Sequence, residues 1–321
     1  MAAATDDARV AVLAPAPILT VTLERDDGEP ELHLHPGGQG FWVARMAREL
    51  GSTVAFCAPL GGEVGAVIRA LIEGEQLDVC AVETSGSNGA YIHDRRGDTF
   101  VDLGQTASPR LARHEADSLY TAMLSASLTA DLAILTGSRD RDVLDPDFYE
   151  RLAGDLRRND RLTVADLSGR QLNSALAGGI DLLHLSEREL HQHEPESGQR
   201  SAAALDDVPE TVATMERLRE AGARRVLLTR GSEPALVLLE DGIYELVGPQ
   251  LEAREPRGAG DSMLAAISVS LARGEPVERA LRIGAAAGAV NAARLGLGTG
   301  SRDDIERLAR VVTLRPLGTA Q

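Results

Sequence analysis

Aromatic residues and cysteine are scarce in this chain. Phe, Trp and Tyr make up only 3% of its 321 residues, whereas 43% of the residues are hydrophobic. A substantial core is therefore expected, and Ala, Leu and Val must build most of it. The two cysteines, Cys57 and Cys80, allow at most one disulfide and exclude a cysteine-rich metal cluster.

Long apolar runs are also missing. No run approaches the roughly 18–20 residues that a membrane helix needs. Residues 1–10 contain acidic side chains where a secretory signal peptide has a positive region and an apolar stretch. We therefore expect a cytoplasmic protein with reduced thiols and no membrane partner.

Positive charge is in deficit, and the formal net charge is −16. Nucleic acid is therefore not an expected partner, because non-specific binding to it depends on Lys and Arg neutralising phosphates. A bound nucleotide would need a local anion-binding device, and the sequence has to show one.

Short apolar, β-branched segments alternate with longer segments of helical periodicity. This alternation predicts an α/β fold with a mainly parallel sheet flanked by helices. The last part of the chain predicts three helices with little strand between them. The expected strands cover residues 10–13, 53–58, 133–136, 162–166, 181–185 and 225–229, and the expected helices 41–50, 66–73, 146–157, 208–221, 261–273, 277–293 and 303–312.

Two regions break the alternation. Residues 18–35 and 90–101 have the pattern of antiparallel ribbons, with turn signals at Asp27-Gly28 and Arg96-Gly97. Both are too polar on one face to be central strands, so they predict a small sheet over the end of the main one. Residues 192–207 are polar and predict an exposed insertion.

The strongest motif is RGAGDSM at residues 257–263, directly before an apolar helical segment. Two glycines before a helix let several backbone N–H groups point at one spot, where the helix N-terminus adds partial positive charge. Phosphoryl transfer needs such a site, and Asp261 in the first turn can accept the proton of an attacking hydroxyl. The alternative is that Asp261 only caps the helix. The motif is neither a Walker loop nor a dinucleotide-binding fingerprint.

A series of motifs in chain order resembles the PfkB carbohydrate kinases, especially the branch with phosphofructokinases and tagatose-6-phosphate kinase. The stretch PGGQGFWVAR at 36–45 is similar to the first signature of this family, and GAGDS at 258–262 is similar to the last. Between them lie LGGEVG at 60–65, TGS at 136–138, DFY at 147–149, DLSG at 166–169, EREL at 187–190 and TRG at 229–231.

The resemblance implies a ribokinase-like core of residues 1–17, 36–89 and 102–321, and a β-lid of residues 18–35 and 90–101 through which two chains form a homodimer. It also implies ATP and Mg²⁺ as partners and a sugar or sugar phosphate as the acceptor. Asp261 would be the catalytic base. The resemblance further assigns an anion hole at Gly258, Ala259 and Gly260, nucleotide contacts at Ser186, Thr229, Gly231 and Asn291, acceptor contacts at Gly37, Gly38, Gln39, Gly40 and Ser138, and water-mediated binding of Mg²⁺ at Glu189. For Asn291, a plain helix-surface role is the alternative.

The acceptor half departs from the family pattern. Ile18 stands where an aspartate holds sugar hydroxyls, Gln39 replaces a lysine and Trp42 replaces an asparagine. The arginine expected near residues 86–88 is absent, and Thr99 stands where phosphofructokinases carry another. Each charge-assisted hydrogen bond contributes about 1.5–3 kcal/mol, so a sugar phosphate would be held poorly without substitutes. Candidates for these substitutes are Arg95, Arg96, Arg139 and Arg141, whose alternative role is a solvated surface.

On the nucleotide side, His184-Leu185-Ser186 replaces the Lys-Pro-Asn of the family, and Arg257 before the anion hole would either assist the phosphates or block them. Glu31, His33 and His35 share one face of an expected strand. They predict a metal site, a wall of the acceptor site or a half-exposed lid strand.

Three hypotheses follow. The first is a sugar or sugar-phosphate kinase with a remodelled acceptor pocket. The second is a catalytically weak or inactive relative that binds nucleotide or sugar as a regulator. The third, a nucleotide-dependent oxidoreductase, lacks its fingerprint.

Overall fold

The computed structural model describes residues 7–26, 29–97, 101–138, 143–193, 208–294 and 296–317, which form two sheets and their helices. The strands are β1 (Arg9–Leu13), β2 (Ile18–Asp26), β3 (Glu29–Gly37), β4 (Thr53–Gly61), β5 (Asp78–Thr84), β6 (Gly89–Asp94), β7 (Val101–Thr106), β8 (Leu132–Thr136), β9 (Leu162–Asp166), β10 (Leu182–Ser186), β11 (Val226–Arg230), β12 (Glu233–Leu239), β13 (Gly242–Val247) and β14 (Thr313–Pro316). The helices are α1 (Gln39–Glu49), α2 (Gly62–Glu73), α3 (Arg113–Leu128), α4 (Pro146–Arg158), α5 (Gly169–Gly178), α6 (Glu187–His193), α7 (Val208–Glu220), α8 (Ala259–Ala272), α9 (Val277–Ala292) and α10 (Arg302–Ala309).

The main sheet has ten strands in the order β14-β13-β12-β11-β10-β9-β8-β1-β4-β5. The strands from β11 to β5 in this order pair in parallel, and β12, β13 and β14 extend the sheet with antiparallel pairing. The prediction of a mainly parallel sheet flanked by helices is therefore confirmed. The last three helices follow one another with no described strand between them, as expected, and β14 then pairs with β13 after the last helix.

Two apolar cores lie on the two faces of this sheet. Successive residues of a strand point to opposite faces, and Val10 and Val12 join one core while Ala11 and Leu13 join the other. Helix α8 lies in the first core and is buried on every side from Ser262 to Ser270, as expected for a helix that is apolar all round.

The second sheet has four strands in the order β3-β2-β6-β7. We call it the lid sheet. β2 pairs with β3 antiparallel and with β6 in parallel, and β6 pairs with β7 antiparallel. The turn at Asp27-Gly28 lies outside the described residues, and the second ribbon extends to Thr106. The division of the chain into a core and a lid remains a prediction, as does the insertion at 192–207, of which residues 194–207 are outside the described part.

None of the helices in the described ranges combines the length and apolar character that crossing a bilayer requires.

The carboxyl ends of the parallel strands meet at one edge of the main sheet. In α/β sheets ligands bind outside this edge. Helix α1 reaches the edge through a close contact, since a Cβ at Gly40 would lie 2.5 Å from Ala14 Cβ and 2.8 Å from Ala14 Cα. Residue 40 therefore has to be glycine for α1 to pack against the chain after β1.

We predict that Gly40→Ala lowers the free energy of unfolding by about 1–3 kcal/mol, as overpacking in a core does. Denaturant titration measures the change. Gly97→Ala is the control, because nothing lies within 4 Å of a Cβ at Gly97. Equal stability of the two variants would contradict the packing account.

Candidate active site

A cavity of about 520 Å³ lies between the lid sheet and the carboxyl edge of the main sheet. Its walls come from β2, β3 and β6 of the lid, from the N-terminal ends of α1 and α8, and from the turn after β8. Of the residues assigned to the site by sequence, Gly38, Gln39, Ser138, Gly258 and Asp261 line it.

The N-terminus of α8 forms one wall. Gly258 is its N-cap with φ of 72°, a left-handed conformation that favours glycine. The first i−4 hydrogen bond runs from the Ser262 N–H to the Gly258 carbonyl, so the N–H groups of Ala259, Gly260 and Asp261 precede it. The Ala259 N–H makes a long bond of 3.4 Å to the Pro256 carbonyl.

Asp261 is the third residue of α8 and half-buried at the cavity wall. The interpretation of Asp261 as the helix cap is wrong, because Gly258 occupies the cap position. A carboxylate in the first turn still interacts favourably with the helix dipole.

Asn291 of α9 holds this wall in place. Its side-chain amide donates to the Arg257 carbonyl at 2.9 Å and accepts from the Gly298 N–H at 2.9 Å. The side chain is fully buried, so the helix-surface alternative is wrong. Asn291 therefore joins the loop before α8 to the loop after α9. Its contact with a nucleotide remains a prediction.

A buried histidine–aspartate pair lies behind the anion-hole residues. His184 and Asp166 are register partners on β10 and β9, and their Nδ1 and Oδ2 atoms are 2.7 Å apart. The other ring nitrogen lies 3.3 Å from Thr229 Oγ1. A Cβ at Gly260 would be 3.1 Å from His184 Cε1, so the imidazole packs directly against the first turn of α8.

The pKa of His184 is raised above its ordinary value. Burial is the largest influence and opposes protonation, but the carboxylates of Asp166, Glu189 and Asp261 together outweigh it. The sequence interpretation missed this pair. The signal that could have found it was a charged or titratable residue in each of two neighbouring buried strands, at the end of β9 and in the middle of β10.

Ser186 and Glu189 are joined at the start of α6. The Ser186 N–H and hydroxyl donate to the same Glu189 carboxylate oxygen at 2.9 and 2.6 Å. Ser186 is the register partner of Thr229 on the neighbouring strand. Gly231 follows with φ of 60° in the turn between β11 and β12. None of these four residues lines the cavity.

The acceptor-side residues fall into two groups. The Gln39 side chain accepts from the Gly137 N–H at 3.2 Å, and Ser138 Oγ accepts from the Gln171 amide at 3.2 Å, so both residues shape the turn after β8. Gly37 and Gly40 do not line the cavity. Their close contacts with β2 and with the chain after β1 give them a packing role.

Comparisons with known proteins decide the family. The profile described as "pfkB family carbohydrate kinase" matches residues 16–304. The chain belongs to this family. It is 29% identical to the ATP-dependent 6-phosphofructokinase isozyme 2 of Mycobacterium tuberculosis, over 93% of this chain and 88% of that protein. It is 26% identical to the 1-phosphofructokinase of Bacillus subtilis, over 83% and 84% of the two chains.

The fold agrees with solved structures. Phosphofructokinase-2 from Escherichia coli in complex with potassium superposes with a TM-score of 0.80 at 24% identity, over 94% of this chain and 98% of that one. The chain is a carbohydrate kinase with a ribokinase-like fold.

Within this PfkB kinase three of the departures from the family pattern, Ile18, Gln39 and Trp42, lie at the cavity wall. Arg95 also lines the cavity. Arg96 forms a two-point pair with Asp94 and is not a wall residue. Arg139 and Arg141, the other two candidate substitutes, lie outside the described residues.

The histidines of the lid sheet do not form a metal site. His33 Nε2 lies 3.4 Å from Glu31, and the His33 and His35 rings stack with centroids 6.1 Å apart. Among the described residues, no group of three or more His, Cys, Asp or Glu side chains has metal-binding geometry. His35 is instead a cavity wall residue.

The His184–Asp166 pair should make the free energy of unfolding depend on pH. Because its folded-state pKa is raised, protonated His184 stabilises the fold fully below the ordinary value near 6.5, and this stabilisation is lost as pH rises through the folded pKa. We predict that the wild type loses stability over that window relative to His184→Gln, which should itself cost about 3 kcal/mol at pH 6, as breaking a buried pair does.

Urea titrations from pH 6 to pH 9.5 check this, with His114→Gln at an exposed position of α3 as the control. Parallel pH profiles for the wild type and His184→Gln would show that the pair is not charged in the folded protein.

Proposed function

We propose that this PfkB kinase transfers the γ-phosphoryl group of ATP to a hydroxyl group, with Asp261 as the base. The observation that carries the proposal is the placement of Asp261 in the first turn of α8, at the wall of the cavity and beside Gly258–Gly260. Base and anion site then face the same space.

The chemistry follows from this placement. The acceptor hydroxyl donates its proton to the Asp261 carboxylate as its oxygen bonds to the γ-phosphorus, and the bond to the ADP oxygen breaks. Negative charge on the moving phosphoryl group is stabilised by the first-turn N–H groups and the dipole of α8. Stabilisation by fixed dipoles suits phosphoryl transfer, because the protein contributes mainly position and charge.

ATP and Mg²⁺ fit the residues behind this wall. Mg²⁺ usually binds through one or two carboxylates together with phosphate oxygens and water, and Glu189 beside Ser186 offers one carboxylate. When bound, the metal neutralises phosphate charge. Thr229 and Gly231 complete the proposed nucleotide side, next to His184.

A second candidate function is a nucleotide- or sugar-binding regulator without turnover. The replacement of family acceptor residues by Ile18 and Trp42 at the cavity wall favours it. The retained Asp261 favours the kinase, because a regulator that only binds has little use for a base.

The proposal includes a homodimer formed through the lid sheet in the cytoplasm. One lid face is apolar, since Val21 lies opposite Leu34 on one side and opposite Ile92 on the other. Free thiols at Cys57 and Cys80 fit a reducing compartment. Five apolar side chains of the lid sheet are 40 to 56% exposed, namely Leu32, Leu34, Ile92, Val101 and Leu103.

We predict that Asp261→Asn lowers kcat by about 10²–10⁴, the range for general base catalysis, with ATP affinity nearly unchanged. Steady-state kinetics on a panel of hydroxyl acceptors and calorimetric ATP binding measure the two effects. Asp303→Asn is the matched control, an exposed aspartate in the first turn of α10.

Turnover that survives Asp261→Asn would show that another group is the base. ATP binding without turnover on any acceptor in the wild type would favour the regulator.

For the lid, we predict that Leu32→Asp with Val101→Asp weakens dimerisation at least about tenfold, because each copy would bury new charges. Light scattering over a dilution series measures the dissociation constant. Val311→Asp, at a 62% exposed position outside the lid, is the control. An unchanged dimer would place the interface elsewhere.

A further inference from the structure

The composition of the cavity walls indicates which acceptor this kinase takes, an inference that rests on the proposed function. The cavity walls include an apolar part. Ile18 of β2 and Trp42 of α1 line the cavity, and so does Leu297 of the loop after α9, whose side chain would lie 3.2 Å from a Cβ at Gly258. An aliphatic side chain at position 18 offers no acceptor for a sugar hydroxyl.

Two aromatic rings, those of Tyr91 and Trp42, also line the cavity. Tyr91 of β6 lines the cavity and stacks on His93 with ring centroids 5.5 Å apart and planes 19° apart. Trp42 is held in place by an edge contact with the buried Phe41 ring at 5.0 Å. Such fixed rings present flat apolar surfaces that pack against the face of another ring.

The arginines in the cavity walls lie close to carboxylates of the same walls or of neighbouring residues. Arg95 Nη1 lies 3.5 Å from Glu24 and its Nη2 3.4 Å from Glu255. Arg257 forms a two-point pair with the same Glu255 carboxylate, with both bonds at 2.8 Å. Arg45 lies 3.4 Å from Glu75. The three arginines among the described wall residues therefore face carboxylates already.

The two wall histidines add little positive charge. Burial lowers the pKa of both His35 and His93 below the ordinary value, so both rings are neutral near pH 7. A phosphate in the cavity would have to compete with the Glu255 carboxylate for Arg95 and Arg257. It would also lie near the like charges of Glu24 and Asp261, and such juxtaposition is unfavourable.

We propose that the acceptor is an uncharged hydroxyl compound with an apolar or aromatic ring face, such as an aryl glycoside, and not a sugar phosphate. The ring face would pack on Trp42 and Tyr91, and the hydroxyl would face Asp261. A neutral acceptor would not have to compete with the Glu255 carboxylate for Arg95 and Arg257.

Binding of matched pairs to the wild type tests the proposal by calorimetry, with a saturating non-hydrolysable ATP analogue occupying the nucleotide site. The pairs are phenyl β-glucoside with its 6-phosphate, fructose with fructose 6-phosphate, and phenyl β-glucoside with glucose. We expect the neutral member to bind at least about tenfold more tightly than the phosphate, and the phenyl glucoside at least about tenfold more tightly than glucose. Tighter binding of either phosphate, or no binding of any neutral compound, would overturn the proposal.

Two variants test the individual walls. Glu255→Gln removes the carboxylate between Arg95 and Arg257, so we expect fructose 6-phosphate to gain at least about tenfold in affinity while fructose is unchanged. Glu245→Gln, whose partner Arg315 lies on the exposed sheet edge, is the matched control. Ile18→Asp should weaken binding of the phenyl glucoside and strengthen binding of fructose. No gain for fructose 6-phosphate in Glu255→Gln would contradict the charge argument.

Failure of the two proposals can be told apart, because this test measures binding and the proposed function requires turnover. If the neutral compounds bind in the expected order but no phosphoryl group is transferred, the acceptor class stands and the kinase function fails.

Discussion

The direction of one helix N-terminus is the constraint on which this site depends. The N–H groups and the Asp261 carboxylate of α8 have to meet at the end of the main sheet, and a helix dipole acts only over its first turn. Helix α8 is buried on every side, so the apolar core fixes its axis. The left-handed Gly258, the Asn291 amide and the His184 ring then fix where its first turn points.

The His184–Asp166 pair has a further meaning in this chain, which contains no lysine at all. Where the family pattern has a lysine before the Glu-containing helix, a flexible ammonium is replaced by a ring held at 2.7 Å by a carboxylate. A buried pair of this kind costs desolvation and is retained only with good geometry. It places a rigid imidazole behind the first turn of α8, where a lysine would place a mobile ammonium.

On the acceptor side of the cavity, ion pairs between wall residues are the main constraint. Arg95, Glu255 and Arg257 form a charged bridge between the lid sheet and the loop before α8. The bridge joins the two parts of the molecule across the cavity, and it uses the arginines that a phosphate would need. The same fold can therefore keep the wall formed by the first turn of α8 while the lid and α1 change the chemistry of the other walls.

The sequence predicted much of this arrangement, for physical reasons. The strands of the parallel centre are buried on both faces, so β8 reads LAILT, with four apolar residues in a row. The antiparallel strands β13 and β14 are partly exposed, and no such run identifies them. Asp261 was found because its glycines are adjacent in sequence, whereas His184 and Asp166 are 18 residues apart and meet only through strand register.

The central claim is that the first turn of α8 binds the transferred phosphoryl group with Asp261 beside the acceptor oxygen. A crystal structure with ADP, Mg²⁺, aluminium fluoride and a neutral acceptor tests it most directly. The account predicts that the fluoride complex accepts hydrogen bonds from the N–H groups of Gly260 and Asp261, with the Asp261 carboxylate within hydrogen-bond distance of the acceptor hydroxyl. A fluoride complex bound away from this turn, or an acceptor hydroxyl directed at another side chain, would contradict it.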